Sequence, residues 1–485
     1  MKCQLMLIDG EWVEASDGGL NNVINPATEE VFAQVPRATE EDVASAIKSA
    51  DVAFPEWAKL SPAERGNYLR AASELVMQRY EEIGRIMTEE QGKPLLEAQG
   101  EVKKAALILR YYAEEGERVY GRIVANVEAN TESQVIYQPV GPAAAIFPWN
   151  YPVELLAWKV GGALAAGCTN IAKPPSLTPL SPLLFLQCLV DAGVPRGVVN
   201  AVTGPGTVVG RQLIASPIVK KVAFTGSTEV GRIVLADCAS FLKKVSLELG
   251  GHCPLIVCRN CDLEAAVQGA VRRSFRNMGQ ICIAINRIYV DREIYHDFLE
   301  RFVKETTELV IGNGLTKVPC DLGPMVDGRG VKKAQRHITD ALEKGAKIAY
   351  GGKRPEGEEF HKGFFFEPTI LTNVNHYMLV MREETFGPVV GVMPFEDLDE
   401  AIALANDTSY GLASYAFTNN LDEADRLSRE LQSGNVAINN VDAGVINAPY
   451  GGWKESGLGH EHGPEGLHEY LKIKHVRLRF LHSGR

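Results

Sequence analysis

Five short apolar runs decide the fold: Ala143–Phe147 (AAAIF), Thr169–Ala172 (TNIA), Val198–Val202 (VVNAV), Lys221–Phe224 (KVAF) and Val245–Leu249 (VSLEL). Each is bounded by Gly, Pro or polar turn residues, and each interval between them is long enough for a helix. A strand that recurs after a helical crossover must lie parallel to the one before it, because only hairpins join antiparallel neighbours cheaply. The stretch from Val140 to Gly250 therefore reads as β-α-β-α-β-α-β-α-β, an α/β fold with a doubly wound, Rossmann-like parallel sheet. After Gly251 a second series begins. Pro254–Cys258, Arg287–Val290, Val389–Pro394, Ala413–Thr418 and Asn435–Asn439 are expected strands, with Asp262–Phe275 and Asp422–Leu431 as amphipathic helices between them.

Upstream, helix starts are punctuated. Ser61, Pro62 and Glu64 fit N-cap, N1 and N3 of a capping box, ahead of Leu69, Ala72, Leu75, Val76 and Tyr80 at helical spacing. Thr39 and Asp42 form the same device before Val43, Ala46, Ile47 and Ala50. Gln134–Gln138 and Leu471–Leu481 alternate apolar with polar residues outside both series, which predicts strands of a projecting, intersubunit element.

Composition bounds the function. The 485 residues are 45% hydrophobic and 23% charged, ordinary for a globular protein of two to four domains. A net charge of −11 argues against nucleic-acid or membrane-surface binding, both of which need a basic face. The weakly polar stretch from Lys159 to Lys173 is interrupted by Gly161, Gly162 and Gly167 and falls short of the roughly 20 residues a membrane helix requires. Met1–Glu14 lacks the apolar core of a secretory signal. Nine cysteines, odd in number and sparse, do not make a disulfide scaffold, so the expected compartment is the reducing cytoplasm.

Several constellations compete for chemistry. Gly204, Gly206 and Gly210 miss the dinucleotide fingerprint by one residue, and Gly226 to Gly231 lacks the Lys of a P-loop. Both turns are explained by tight helix starts, or by Ser227 and the N–H groups after it facing a phosphate. Cys253, Cys258 and Cys261 resemble the opening of an iron–sulfur spacing. A buried strand at Leu255–Val257 would point Cys253 and Cys258 to opposite faces, so no metal site is expected. Cys282 differs: it follows Asn277-Met278-Gly279-Gln280-Ile281, a polar turn that can expose and activate a thiol.

Seven ordered motifs then resemble one family. They are Phe147-Pro148-Trp149-Asn150, Lys173-Pro174, Phe224-Thr225-Gly226-Ser227, Glu248-Leu249-Gly250-Gly251, Asn277-x-Gly279-Gln280-x-Cys282, Glu384-x-Phe386-Gly387-Pro388 and Pro449-Tyr450-Gly451-Gly452. Together they resemble the aldehyde dehydrogenase superfamily across essentially the whole chain. Lys454 to Val476 is most similar to its succinate-semialdehyde dehydrogenase group.

The resemblance implies an NAD(P)-binding domain (1–121 and 141–250), a catalytic domain (251–449) and a β-hairpin oligomerisation arm (122–140 and 466–485) serving a homodimer or homotetramer. It implies Cys282 as nucleophile, Glu248 as general base and Asn150 as oxyanion donor. NADP or NAD would be held by Phe147, Trp149, Lys173, Ser176, Gly206, Gly226, Ser227, Leu249, Glu384 and Phe386, and the aldehyde by Tyr151, Trp158, Arg276 and Tyr450. Sulfur suits such an oxidation because the resulting thioester remains open to water, and an amide at position 150 stabilises charge where it develops.

Departures from the family pattern matter. His252 replaces a Lys, and Ser176 stands where members restricted to NAD often have Glu. Of two Arg and a Ser expected to grip a substrate carboxylate, only Arg276 is present, because Trp158 and Gly444 occupy the other positions. Succinate semialdehyde is the first expected substrate, with small uncharged aldehydes such as lactaldehyde or glyceraldehyde as the alternative. A non-catalytic structural member of the fold is a further alternative, against which the survival of Cys282, Glu248 and Asn150 argues. A CoA-acylating member generally lacks the base, so Glu248 favours hydrolysis to the acid.

Overall fold

A computed structural model describes residues 2–480. The five expected strands form the parallel centre of an eight-stranded sheet: Lys244–Glu248, Lys221–Thr225, Ala143–Ile146, Asn170–Lys173 and Val199–Ala201, adjacent in that order. The chain reverses direction across the sheet between Ala143–Ile146 and Lys221–Thr225, paired with Ala144 opposite Val222 and Ile146 opposite Phe224. Crevices outside the carboxyl ends of strands at such a reversal are where doubly wound sheets bind ligands. Residues that follow those two strands, Phe147–Asn150 and Gly226–Ser227, therefore stand at the position for binding.

Three more strands extend this sheet and are not legible as apolar runs. Met6–Ile8 and Glu11–Val13 make an antiparallel hairpin on the Val199–Ala201 edge, and Gly457–Leu458 caps the Lys244–Glu248 edge. The hairpin had a local signal: Asp9 (φ 54°) and Gly10 (φ 75°) both take left-handed geometry, the Asp-Gly pattern of a two-residue turn. Both capping boxes form, with Thr39 starting the helix Glu40–Lys59 and Ser61 starting Pro62–Gln78. Pro152–Ala166 is buried on almost every side, as expected of a helix between sheet and neighbouring helices.

The second sheet has seven strands, in the order Lys347–Tyr350, Thr369–Thr372, Val389–Phe395, Ile285–Asp291, Cys253–Val257, Ala413–Phe417 and Asn435–Ile438. All but the first are parallel. The sequence reading lacks the first two. Lys347–Tyr350 is a largely exposed edge with no apolar run, and Thr369–Thr372 has only four residues. Cys253 and Cys258 are buried among apolar side chains of this sheet.

Leu471–Arg479 pairs antiparallel with Thr131–Pro139, which pairs in turn with Arg122–Val124. This three-stranded ribbon contains both segments expected to project, although Leu481 lies outside the described residues. No helix among the described residues is long and apolar enough to cross a membrane.

Candidate active site

The turn that carries Cys282 is held in an uncommon shape. Asn277 (φ 49°), Met278 (φ 58°) and Gly279 (φ 65°) are left-handed in succession. A Cβ at Gly279 would meet the Gly387 carbonyl oxygen at 2.3 Å, so only glycine fits. Side-chain amides lock the turn: Gln91 donates to Asn277 Oδ1 (2.9 Å), and Gln280 donates to the Asn277 carbonyl (3.0 Å) and accepts from Val326 N–H (3.0 Å). Gly251 lets the Cys282 turn approach, since its Cβ would lie 2.1 Å from the Cys282 carbonyl oxygen.

Asn150 is aimed by the same turn. Its Nδ2 donates to the Gln280 carbonyl (3.0 Å), which fixes the amide orientation and leaves a second N–H for another acceptor. Its own carbonyl accepts from Lys93 Nζ (2.7 Å) and Asn277 Nδ2 (3.2 Å). Lys93 is fully buried in an ion pair with Glu101 (2.6 Å), and Glu101 also accepts from the Val153 (2.9 Å) and Glu154 (3.2 Å) N–H groups at a helix start. A buried pair of this kind is worth most as a fixed geometry, because its attraction is largely offset by lost hydration.

Glu248 ends its strand buried, and neither of its oxygens is hydrogen-bonded among the described residues. Burial, reinforced by Glu461, pushes its carboxyl up to about 8. Burial and then Glu248 hold the Cys282 thiol well above its ordinary range. The Tyr450 hydroxyl is 3.7 Å from Cys282 Sγ. Glu461 is paired with Lys159, whose Nζ also reaches Thr225 Oγ1 at 2.6 Å.

Two cavities share Asn150, Leu155, Glu248 and Cys282 in their walls. The first, about 320 Å³, is lined by Trp149, Gly226, Ser227, Leu249, Glu384 and Phe386, together with Asp327, Arg329 and Lys333. Trp149 and Phe386 meet edge to face at 5.5 Å, and Phe386 is held at φ 52°. Glu384 accepts from Gly251 N–H (3.0 Å), and burial raises its carboxyl to about 7. Ser227 caps the helix Thr228–Ala239, accepting from Val230 N–H at 3.3 Å.

Lys173, Ser176 and Gly206 do not line that cavity. Lys173 ends its strand with its amine brought down to about 8 by burial. Ser176 is exposed, its hydroxyl 3.4 Å from the Gly204 carbonyl, and Gly206 has open space where a Cβ would stand. The Phe147 side chain packs into the core instead.

The second cavity, about 160 Å³, is lined by Tyr151, Trp158, Arg276, Gly444, Tyr450 and His462, among others. Arg276 is not free: its Nε donates to Glu97 (3.0 Å), which also accepts from the Tyr151 hydroxyl (2.7 Å). Arg273 and Asp442, an ion pair, line the same wall. Trp158 is buried with its ring stacked on His462. His252, the departure beside Gly251, is buried in a supporting role: its Nε2 lies 3.0 Å from the Val380 carbonyl, and its own carbonyl accepts twice from Arg287.

Sequence reasoning missed Glu97, His462, the Lys93–Glu101 and Lys159–Glu461 pairs, and Asp327, Arg329 and Lys333. Glu97 lies in the helix Leu95–Glu115 and Lys93 in the short link before it, both with ordinary charge spacing. Only Lys159, a cation in the middle of a helix whose other charge is Glu154 in the first turn, carried a visible signal.

A switch-point crevice that opens onto a half-buried thiol, with a second cavity reaching the same sulfur, defines a cofactor-dependent oxidoreductase layout. The chain belongs to the aldehyde dehydrogenase family, whose profile matches residues 12–476. It is 44% identical over 476 residues to a succinate-semialdehyde dehydrogenase (NADP(+)) of Escherichia coli, covering 98% of this chain and 97% of that one. It is also 44% identical over 478 residues to a glutarate-semialdehyde dehydrogenase of Pseudomonas aeruginosa, with the same coverage. A crystal structure of betaine aldehyde dehydrogenase from Staphylococcus aureus in complex with NAD+ superimposes with a TM-score of 0.96 at 36% identity, covering 98% of this chain and 95% of that one.

Proposed function

We propose that this chain oxidises succinate semialdehyde, or a similar short aldehyde, to its carboxylic acid with NADP or NAD, through covalent attachment to Cys282. The observation that carries the reading is that Asn150, Leu155, Glu248 and Cys282 line both cavities, so one sulfur can touch a substrate on one side and a cofactor on the other. Glu248 accepts the thiol proton, and the thiolate adds to the aldehyde carbon. The oxyanion that forms is met by the free N–H of Asn150 and the backbone N–H of Cys282, donors that cost no reorganisation at that moment. Bound NAD(P) supplies the hydride acceptor that takes the Cys282 adduct to a thioester. Glu248 passes the thiol proton to solvent and, ionised again, removes a proton from the water that cleaves the thioester, a task suited to a carboxyl near 8.

Residues present fit the cofactor. Glu384, anchored through one oxygen, offers the other to ribose hydroxyls, and Ser227 begins a helix whose N–H groups suit a phosphate. Trp149, Gly226, Leu249 and Phe386 form the walls, and Lys173, Ser176, Gly206 and the backbone at Phe147 serve the adenosine end. In this reading 1–121 with 141–250 bind the cofactor, 251–449 carry the thiol, and 122–140 with 466–485 form an arm between subunits of a homodimer or homotetramer. Exposed Ile123 and Ile473 on that ribbon support the last point, because such apolar surface is normally covered. The cytoplasm is the compartment that keeps Cys282 a thiol.

The Trp158, Tyr450 and His462 wall, with Arg276 already paired, favours a second reading in which small neutral aldehydes are also good substrates. The test is a panel of charged and neutral aldehydes followed by absorbance of reduced cofactor, with Cys282→Ala as control. That variant should lose turnover and still bind cofactor; an active Cys282→Ala enzyme overturns the proposal.

A further inference from the structure

His462 forms part of the wall of the Cys282 cavity in a backbone conformation, φ 57° and ψ 171°, that is otherwise almost reserved for glycine. A side chain persists there only when its surroundings hold it, and the hold is explicit. Its ring lies 3.5 Å from that of Trp158, with 17° between planes, and 4.8 Å from that of Tyr450, with 19° between planes. Tyr450 in turn carries the hydroxyl 3.7 Å from Cys282 Sγ, so the imidazole is one ring layer removed from the reacting sulfur.

The tautomer is fixed as well. His462 Nδ1 is 3.0 Å from the Val445 carbonyl oxygen, which can only accept, so the proton is on Nδ1. Burial, with Lys104 and Lys159 nearby, keeps the ring neutral. Nε2 is then a bare acceptor. It makes no hydrogen bond to any described residue and, unlike the Trp158 indole nitrogen, it keeps some accessible surface in a residue that lines the cavity.

We infer that His462 determines specificity by accepting, at Nε2, a hydrogen bond from a hydroxyl on the substrate chain, so that the site prefers short hydroxyaldehydes to their deoxy counterparts. This rests on the proposed aldehyde oxidation and refines its substrate class. A carboxylate cannot fill the role, having no proton to give. An ammonium group could donate as well, but it costs far more to desolvate in the cavity than a hydroxyl does. A neutral hydroxyl meets the acceptor without either cost. A deoxy substrate displaces cavity water and leaves Nε2 unpaired, which is how an active site rejects an analogue that lacks the expected donor.

The test compares kcat/KM for lactaldehyde with that for propionaldehyde in the wild-type enzyme and two variants. His462→Phe keeps a stacking ring without the acceptor, and His462→Gly removes the ring and relaxes the backbone. The wild-type ratio should exceed that of either variant by about tenfold, the scale of one neutral hydrogen bond. Comparing ratios between enzymes cancels the intrinsic reactivity difference of the two aldehydes. Equal ratios in the wild type and either folded variant overturn the inference while leaving the aldehyde reading intact. Oxidation of neither those two aldehydes nor any other in the panel by the wild-type enzyme overturns both.

Discussion

Glu97→Gln should improve the enzyme on acidic substrates. In the structure Glu97 neutralises Arg276, the cavity guanidinium expected to grip a carboxylate at the far end of an aldehyde. A substrate carboxylate on the open edge of that guanidinium would lie roughly 6 Å from the Glu97 carboxylate, a repulsion of about 3 kcal/mol at an effective dielectric near 20. The Arg276 side chain is 37% exposed, so solvent screening reduces this to about 1.5 kcal/mol. That is about tenfold in kcat/KM. Gln retains an acceptor for the Tyr151 hydroxyl, so the local packing survives. Initial rates of cofactor reduction with succinate semialdehyde and with butanal, which has the same carbon count, should show the acid gaining about tenfold, mainly in KM, and butanal changing less than about twofold. The gain should shrink as salt is added. Equal changes for both aldehydes, or a loss for the acid, would refute the reasoning and make Glu97 a support for the Tyr151 and Cys282 loops.

Glu248→Gln should keep a slowed stoichiometric burst of reduced cofactor and lose steady-state turnover, because water must be deprotonated after the thioester forms; retained steady-state turnover excludes Glu248 as base. In the wild-type enzyme, steady-state kcat should rise with pH through about 8 as the carboxylate appears. The same raised carboxyl costs stability: below the unfolded pKa both states are protonated, and between that value and about 8 the unfolded state alone ionises, so stability falls as pH rises. The Tm advantage of Glu248→Gln should therefore be small at pH 4.5 and widen towards pH 8.5, and a constant difference contradicts the burial argument. In the proposed reading Ser176 and Lys173 would meet a 2′-phosphate, so Ser176→Glu should lower the NADP-to-NAD ratio of kcat/KM by about tenfold or more. A wild-type preference for NAD above about a hundredfold would show that other groups exclude the phosphate. Ile473, 70% exposed on the ribbon, should be covered in the oligomer, so Ile473→Asp should lower the sedimentation mass; an unchanged mass moves the interface elsewhere.

Most of the framework was written in local chemistry. Parallel strands buried on both faces read as continuous apolar runs, which is why the five central strands of the first sheet are visible from Ala143 to Leu249. Capping boxes at Thr39 and Ser61 are decided within four residues, as are the turns that leave Asn150, Ser227 and Glu248 at strand ends. Edge strands were not legible where they are short or exposed, as at Met6–Ile8 and Lys347–Tyr350, because their stability comes from a neighbour and not from their own pattern. Tertiary structure alone decided the character of the substrate cavity. Arg276 and Glu97 are 179 positions apart, and no spacing rule connects them. Only the folded chain brings the carboxylate onto the guanidinium, and only there does the His462 ring stack against Trp158. Residue type fixes what each group can do, but its charge, proton and free acceptor depend on neighbours that the linear order does not reveal.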